Sequence, residues 1–332
     1  MIKRSVKKKS IPKKLLLWFK IFITSSLCVY IILKADWQFV QFAIQNANVL
    51  LILIIFLGML IDIALSALKW QTLLNIHGIY YSLGTLTKYY LIGVFFGNFL
   101  PGTIGGDGYR IYKTLNNPRS RSGAVISIFT ERIFGLMILL GLGLCASVGS
   151  FLKRGDNISL FGIIFSTFGL LVFIIFVSLL FREQTRSWVF KKKYIPQKIK
   201  SLVKHVDDYR RQPRAFIKFI GISFLFYILL FFCRLLLIYA VGESCPVFSF
   251  VMVVMMSTVL AAIPISLNGI GILDGSFIYL ISKFGVTYES ALMVMVLYRL
   301  LTLLLSLIGG IFYFFDNDQK NKFMPVKSLF KN

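Results

Sequence analysis

Between residues 158 and 181 the chain reads ISLFGIIFSTFGLLVFIIFVSLLF and carries no charged side chain. As a helix that run is about 36 Å long at 1.5 Å per residue, enough to cross the hydrocarbon of a bilayer. Similar apolar runs fall at 15–33, 49–69, 84–100, 122–147, 215–241, 248–264 and 289–315, with a shorter one at 270–284. A water-soluble chain of 332 residues has no means of covering that much apolar surface. The ten-residue alternation of a membrane β-barrel is missing. The expected fold is an all-α polytopic membrane protein.

Charge sets the orientation. The chain holds 37 Lys+Arg against 13 Asp+Glu, a net charge of +24. In a soluble protein this balance would point to nucleic acid. Here the basic residues flank apolar runs, so no nucleic-acid partner is expected, and anionic headgroups and the positive-inside rule account for them. Residues 1–14 carry seven Lys/Arg and no acid, 182–214 carry eleven, 106–121 four and 316–332 four. The connections 34–48, 148–157 and 242–247 carry one, two and none. The rich segments are therefore cytoplasmic, both termini included, and the protein is multi-pass in the inner (cell) membrane. The run after the basic N-terminus is long for a signal peptide and lacks a small-x-small cleavage site, so 15–33 reads as an uncleaved first helix.

Those orientations cannot hold if every apolar run crosses completely. With 106–121 inside, 84–105 must enter halfway and turn back. With 316–332 inside, 248–284 must begin and end outside. Both turns contain Pro and clustered Gly: PGTIGG at 101–106, with Pro101, Gly102, Gly105 and Gly106, and PISLNGIG at 264–271, with Pro264, Gly269 and Gly271. Broken backbone at membrane depth survives only inside protein or against a water-filled cavity. The expectation is about seven spanning helices plus two re-entrant broken-helix hairpins, all within one membrane domain at 15–315. A basic N-terminus (1–14), a basic loop (182–214) and a tail (316–332) lie on the cytoplasmic side.

The two breaks resemble each other. Asp107 precedes Arg132 by 25 residues, and Asp274 precedes Arg299 by 25. At the same offset of 167, Gly102 matches Gly269, Gly108 matches Gly275 and Gly143 matches Gly310. Units of about 84–147 and 248–315, entered from opposite sides, form an inverted repeat, which in transporters surrounds a midplane site. Each Arg lies about 15 Å along its helix, where burying a cation costs roughly 2.5–3.5 kcal/mol on insertion scales. Such a residue needs a partner or a polar ligand.

The same residues carry a resemblance to a known family. NFLPGTIGGDGYR, marked by Asn98, Pro101, Gly105, Gly106, Asp107 and Arg110, is followed by Glu131-Arg132. PISLNGIGILD, marked by Pro264, Asn268, Gly269, Gly271 and Asp274, is followed by Tyr298-Arg299. Together with Lys69-Trp70 and Leu73-Leu74 they resemble the membrane domain of the lysylphosphatidylglycerol synthase (flippase-like) family, over nearly the whole chain. Asn268 and Asp274 stand where that family usually has a second Gly and a Glu. The chain ends soon after its last helix, so a stand-alone member without the aminoacyltransferase domain is expected. The resemblance therefore implies lipid translocation rather than lipid aminoacylation.

Arg132 and Arg299 are candidate phosphate ligands, because a guanidinium offers a planar fork and stays charged when desolvated. The half-helices starting near Asp107 and Asp274 would aim N–H groups at the same place. An equally good reading makes Asp107–Arg132 and Asp274–Arg299 salt bridges that hold the hairpins, and Asp107 could instead cap its half-helix. Glu131 would pair with Lys88 or Arg110. Tyr298 would hydrogen-bond at depth, and Asn98 and Asn268 would satisfy freed backbone. Asp62 and Arg234 would face the bundle. The four cysteines and two histidines lack metal-ligand spacing, and no Ser/His/Asp set, HExxH or Walker loop is present. Neither a metal, a cofactor nor catalysis is expected. The expected partners are membrane lipids, anionic or polyprenyl-phosphate, and a cytoplasmic transferase docking on 182–214. The expected function is translocation of an anionic phospholipid or lipid-linked phosphate; the alternative is the membrane component of a lipid-linked glycosyl- or aminoacyl-transfer system.

This topology is open to a direct check. Single cysteines introduced between 111 and 120 or 190 and 200 should react with a membrane-impermeant maleimide only after the cytoplasmic face is opened. Labelling of 111–120 in intact cells would reverse the first hairpin.

Overall fold

The computed structural model describes residues 48–99, 104–115, 121–181, 208–263, 266 and 269–315. The expected first helix 15–33, the basic N-terminus, the tail and 182–207 lie outside them, as do Pro101, Gly102, Pro264 and Asn268. The described elements are helices: α1 (Val49–Ile76), α2 (Leu83–Phe99), α3 (Ile104–Thr114), α4 (Arg121–Arg154), α5 (Asn157–Phe181), α6 (Pro213–Ala240), α7 (Val247–Ala262), α8 (Ile272–Ile281) and α9 (Tyr288–Phe314), with a 3-10 turn at Ser282–Phe284. Among them α1, α4, α5, α6 and α9 are long and apolar enough to span a membrane. The chain is an all-α polytopic membrane protein.

Each helix divides into two faces. On α1, Leu50, Leu53, Leu57 and Ile61 are exposed, while Ile55, Gly58, Ser66, Lys69 and Leu73 are buried. Both sets recur every three or four residues, so one side meets lipid and the other the bundle. α1 continues to Ile76, past the sequence boundary at 69, because Lys69 is 5% exposed inside protein instead of marking a membrane surface. Its first turn is capped by Asn48, whose Oδ1 accepts from the Leu51 N–H at 3.1 Å.

The bundle has two ends, fixed by contacts between loops. At one, His77 meets Asp208 (3.2 Å) and Tyr209 (2.8 Å), and the Gln212 amide donates to the Ile76 carbonyl (3.2 Å). At the other, the Asn48 N–H donates to the Ala240 carbonyl (3.1 Å), Thr287 donates to Glu243 (3.2 Å), and Arg154 lies over the Phe284 ring. α1, α5 and α9 run from the second end to the first; α4 and α6 run back.

The four remaining helices pair into hairpins. Tyr81, just before α2, donates to the Lys113 carbonyl at the end of α3 (3.4 Å), so both feet of α2–α3 stand at the His77 end. Phe248 at the start of α7 packs on Gly149 and Lys153 near the end of α4, which carries Arg154 over Phe284 just beyond α8. Both feet of α7–α8 therefore stand at the opposite end. Each hairpin is followed by a long helix leaving from its own feet: α4 after the first, α9 after the second.

Glycines set how closely the helices approach. A Cβ on Gly106 of α3 would run into the Gly93 carbonyl of α2, and one on Gly309 of α9 into the Leu91 carbonyl of α2. Backbone-to-backbone contact of this kind is the usual basis of helix association in lipid. Gly309→Ala should therefore lower stability by about 1–3 kcal/mol through overpacking. Gly141→Ala, with nothing within 4 Å of the added carbon, should not. Thermal unfolding in detergent distinguishes them.

Candidate functional site

Asp107 lies in the first turn of α3, behind the break in the first hairpin. Its carboxylate takes two hydrogen bonds from Arg132 of α4: Nε to Oδ2 at 3.2 Å and Nη2 to Oδ1 at 3.1 Å. Asp274 lies in the first turn of α8, behind the second break. Its carboxylate takes two from Arg299 of α9: Nε to Oδ1 at 3.0 Å and Nη2 to Oδ2 at 2.9 Å. The same two guanidinium nitrogens meet a carboxylate at both places. The spacing of 25 residues in the sequence is thus a fork-to-fork ion pair between a hairpin and the helix after it.

The two pairs differ in their surroundings. The Arg132 side chain is 60% exposed and that of Arg299 28%. Asp274 also accepts from the Gly271 N–H at 2.9 Å, which caps α8. Gly271 has φ +82° and Gly269 φ +70°, left-handed values that favour glycine. Their break is a true turn. Gly105 and Gly106, expected to mark the first break, are already helical, and Gly106 serves the contact with Gly93.

Behind the first pair lies a second layer of charge. Arg110, 2% exposed, donates to Glu131 at 2.5 Å and to Asp107 at 3.2 Å, and is flanked by the Trp70 and Tyr90 rings at 4.3 and 4.2 Å. Tyr90 donates to the other Glu131 oxygen at 2.9 Å, and Lys69 comes within 4.0 Å of it. Lys69 also sits 3.6 Å from the Phe226 ring centre. Asp107 thus joins the exposed Arg132 to a buried group of two cations and one acid. Of the sequence alternatives for Glu131, the one found is Arg110. Lys69 and Tyr90 were not foreseen as its partners; the adjacent Lys69-Trp70 pair was the one available hint.

The second unit has a simpler counterpart. Tyr298, at the offset of 167 from Glu131, accepts from Arg234 of α6 at 2.9 Å. Arg234 lies over the Tyr298 ring at 4.6 Å and approaches the Thr258 hydroxyl at 3.5 Å. In each unit the residue before the bridging Arg therefore accepts from a second Arg. In the first that acceptor is a carboxylate; in the second it is a phenol, so among the described residues Arg234 has no carboxylate within salt-bridge distance. A void of about 10 Å³, room for roughly one water, lies beside it among Ser257, Leu273, Phe277 and Tyr298. Asn98 sits in the last turn of α2 and is partly buried.

A sequence model of the family described as lysylphosphatidylglycerol synthase TM region matches residues 17–310. Comparison with curated proteins gave no match.

The buried layer makes its own prediction. Glu131→Ala leaves Arg110 and Lys69 buried without their shared carboxylate and should cost about 3–5 kcal/mol. Adding Arg110→Met should recover part of that loss. Thermal unfolding of the single and double variants measures the coupling.

Proposed function

The chain belongs to the lysylphosphatidylglycerol synthase TM region family, and from that premise we propose that it translocates an anionic phospholipid or lipid-linked phosphate across the cell membrane. The observation that carries this reading is the matched pair of Asp–Arg forks, one behind each hairpin, on hairpins whose feet stand at opposite ends of the bundle. A phosphate presents oxygens at the spacing of a carboxylate, so it competes for the same two guanidinium nitrogens. In the closed arrangement Asp107 and Asp274 hold those positions. A headgroup entering from one side displaces one aspartate, crosses the midplane and displaces the other. The exposed side of Arg132 suits a substrate whose headgroup enters while its tails stay in lipid.

In this reading the His77 end, where Lys113 and Arg210 lie, faces the cytoplasm with both termini, and the inverted repeat provides two gates of related geometry. Transport requires no covalent chemistry and no cofactor. The eleven Lys/Arg of 182–214 would recruit a cytoplasmic transferase by charge.

The test is flipping of a fluorescent anionic phospholipid in liposomes holding the purified protein, with a zwitterionic lipid as control. Losing one charge-assisted fork is worth roughly 1.5–3 kcal/mol. Arg132→Ala and Arg299→Ala should therefore each slow the anionic lipid by about tenfold or more, with Lys restoring part of the rate. Full activity in both folded Ala variants would remove the proposed site. Covalent change of a lipid by the purified protein would favour the transfer-system alternative.

A further inference from the structure

Asp62 stands at the middle of α1, on the face that carries Ile55, Gly58, Ser66 and Lys69 into the bundle. Its Oδ1 is buried and has no hydrogen-bond partner. That is unlike Asp107, Asp274 and Glu131, whose carboxylates are all held by guanidinium groups. An intramembrane carboxylate oxygen with no donor is costly. It lacks a donor here even though cations are close: Lys69, two turns along α1, and Arg234, across the interface on α6, are the charges within its range. The Cys233 thiol of α6 packs directly on Gly58, one turn before Asp62 on α1. Tyr90 of α2 and Glu131 of α4 turn towards α1 but are engaged with each other and with Lys69.

Asp62 thus lies within electrostatic range of one cation from each charge layer. Lys69 belongs to the Glu131 layer. Arg234 belongs to the Tyr298 layer and has only hydroxyl partners. We infer that Asp62 is a proton-binding site coupled to anion binding at Arg234, so that one proton from the aqueous phase is taken up with each anionic headgroup. Ionised, Asp62 balances the Arg234 charge through space. On protonation its oxygen becomes a carboxylic O–H able to donate, and Arg234 is left with hydroxyl partners and no counter-charge. A phosphate is then favoured there, and by reciprocity a bound phosphate favours the proton. Asp107 and Asp274, already committed to forks, are poorly placed for this task. The coupling deepens the translocation reading and rests on it; the proton site itself does not.

Two measurements separate these claims. Infrared difference spectra of the purified protein between about pH 5 and pH 8 should show a protonated-carboxyl band that Asp62→Asn lacks. Asp62→Ser serves if the Asn variant is not recovered folded. Absence of any such band difference overturns the proton site. In liposomes, the flipping rate of an anionic phospholipid should rise on acidification, by up to about tenfold per pH unit for one coupled proton, and the Asp62 variant should lose that dependence. Wild-type flipping that ignores pH overturns the coupling and leaves translocation standing. An Asp62 band without any flipping keeps the proton site and removes translocation.

Discussion

A hydrocarbon interior offers no water to a broken helix or a charge, so each must be satisfied by the protein itself. The Asp–Arg fork meets that demand for charge at both hairpins with one device. The aspartate stands in the first turn of the half-helix after the break, where the exposed N–H groups favour an anion. The arginine comes from the long helix that follows. Each hairpin is thereby tied to the long helix that follows it. Replacing the arginine with lysine would keep the charge and lose the two-point match.

The depth of charge around the two forks is unequal. Asp107 is shared by Arg132 and by Arg110, and Arg110 is in turn held by Glu131. Moving Arg132 away therefore leaves Asp107 with a second guanidinium. Asp274 has a different reserve, the Gly271 N–H that it caps. When the bridging Arg departs, each carboxylate keeps one hydrogen-bond partner, a guanidinium for Asp107 and a backbone N–H for Asp274.

Much of this was legible in the sequence, because membrane physics makes charge conspicuous. The segment charge counts required hairpins entered from opposite faces, and the contacts of Tyr81 with Lys113 and of Phe248 with Lys153 set their feet at opposite ends. The 25-residue spacing singled out both Asp–Arg pairs, since few charges occur within the apolar runs. What the sequence left open was the role of those pairs, offered as ligands or as bridges; the forks are formed, and binding stays a proposal. Partners of neutral or distant residues were harder to read. Nothing in the spacing ties Tyr90 to Glu131 or Arg234 to Tyr298, because those contacts depend on how helices far apart in the chain rotate against each other. Glycine roles were hidden for the same reason: Gly106 and Gly271 look equivalent as punctuation, yet one is a helix contact and the other a left-handed cap.

The inequality between the units has a consequence for charge. Around the first hairpin Lys69, Arg110 and Arg132 face Asp107 and Glu131, an excess of one positive charge among these groups. Around the second, Arg234 and Arg299 face Asp274 alone, again an excess of one. Tyr298 makes that so: a carboxylate in its place would neutralise Arg234 as Glu131 helps to neutralise Arg110. A phenol accepts the hydrogen bond and leaves the charge. Each half thus keeps one uncompensated cation at a depth where compensation is strongly favoured, and Asp62 is the remaining acid within reach of both Lys69 and Arg234. One carboxylate cannot neutralise two cations, so these groups retain a net positive charge inside the membrane, which an anionic headgroup would satisfy and a zwitterionic one would satisfy less well.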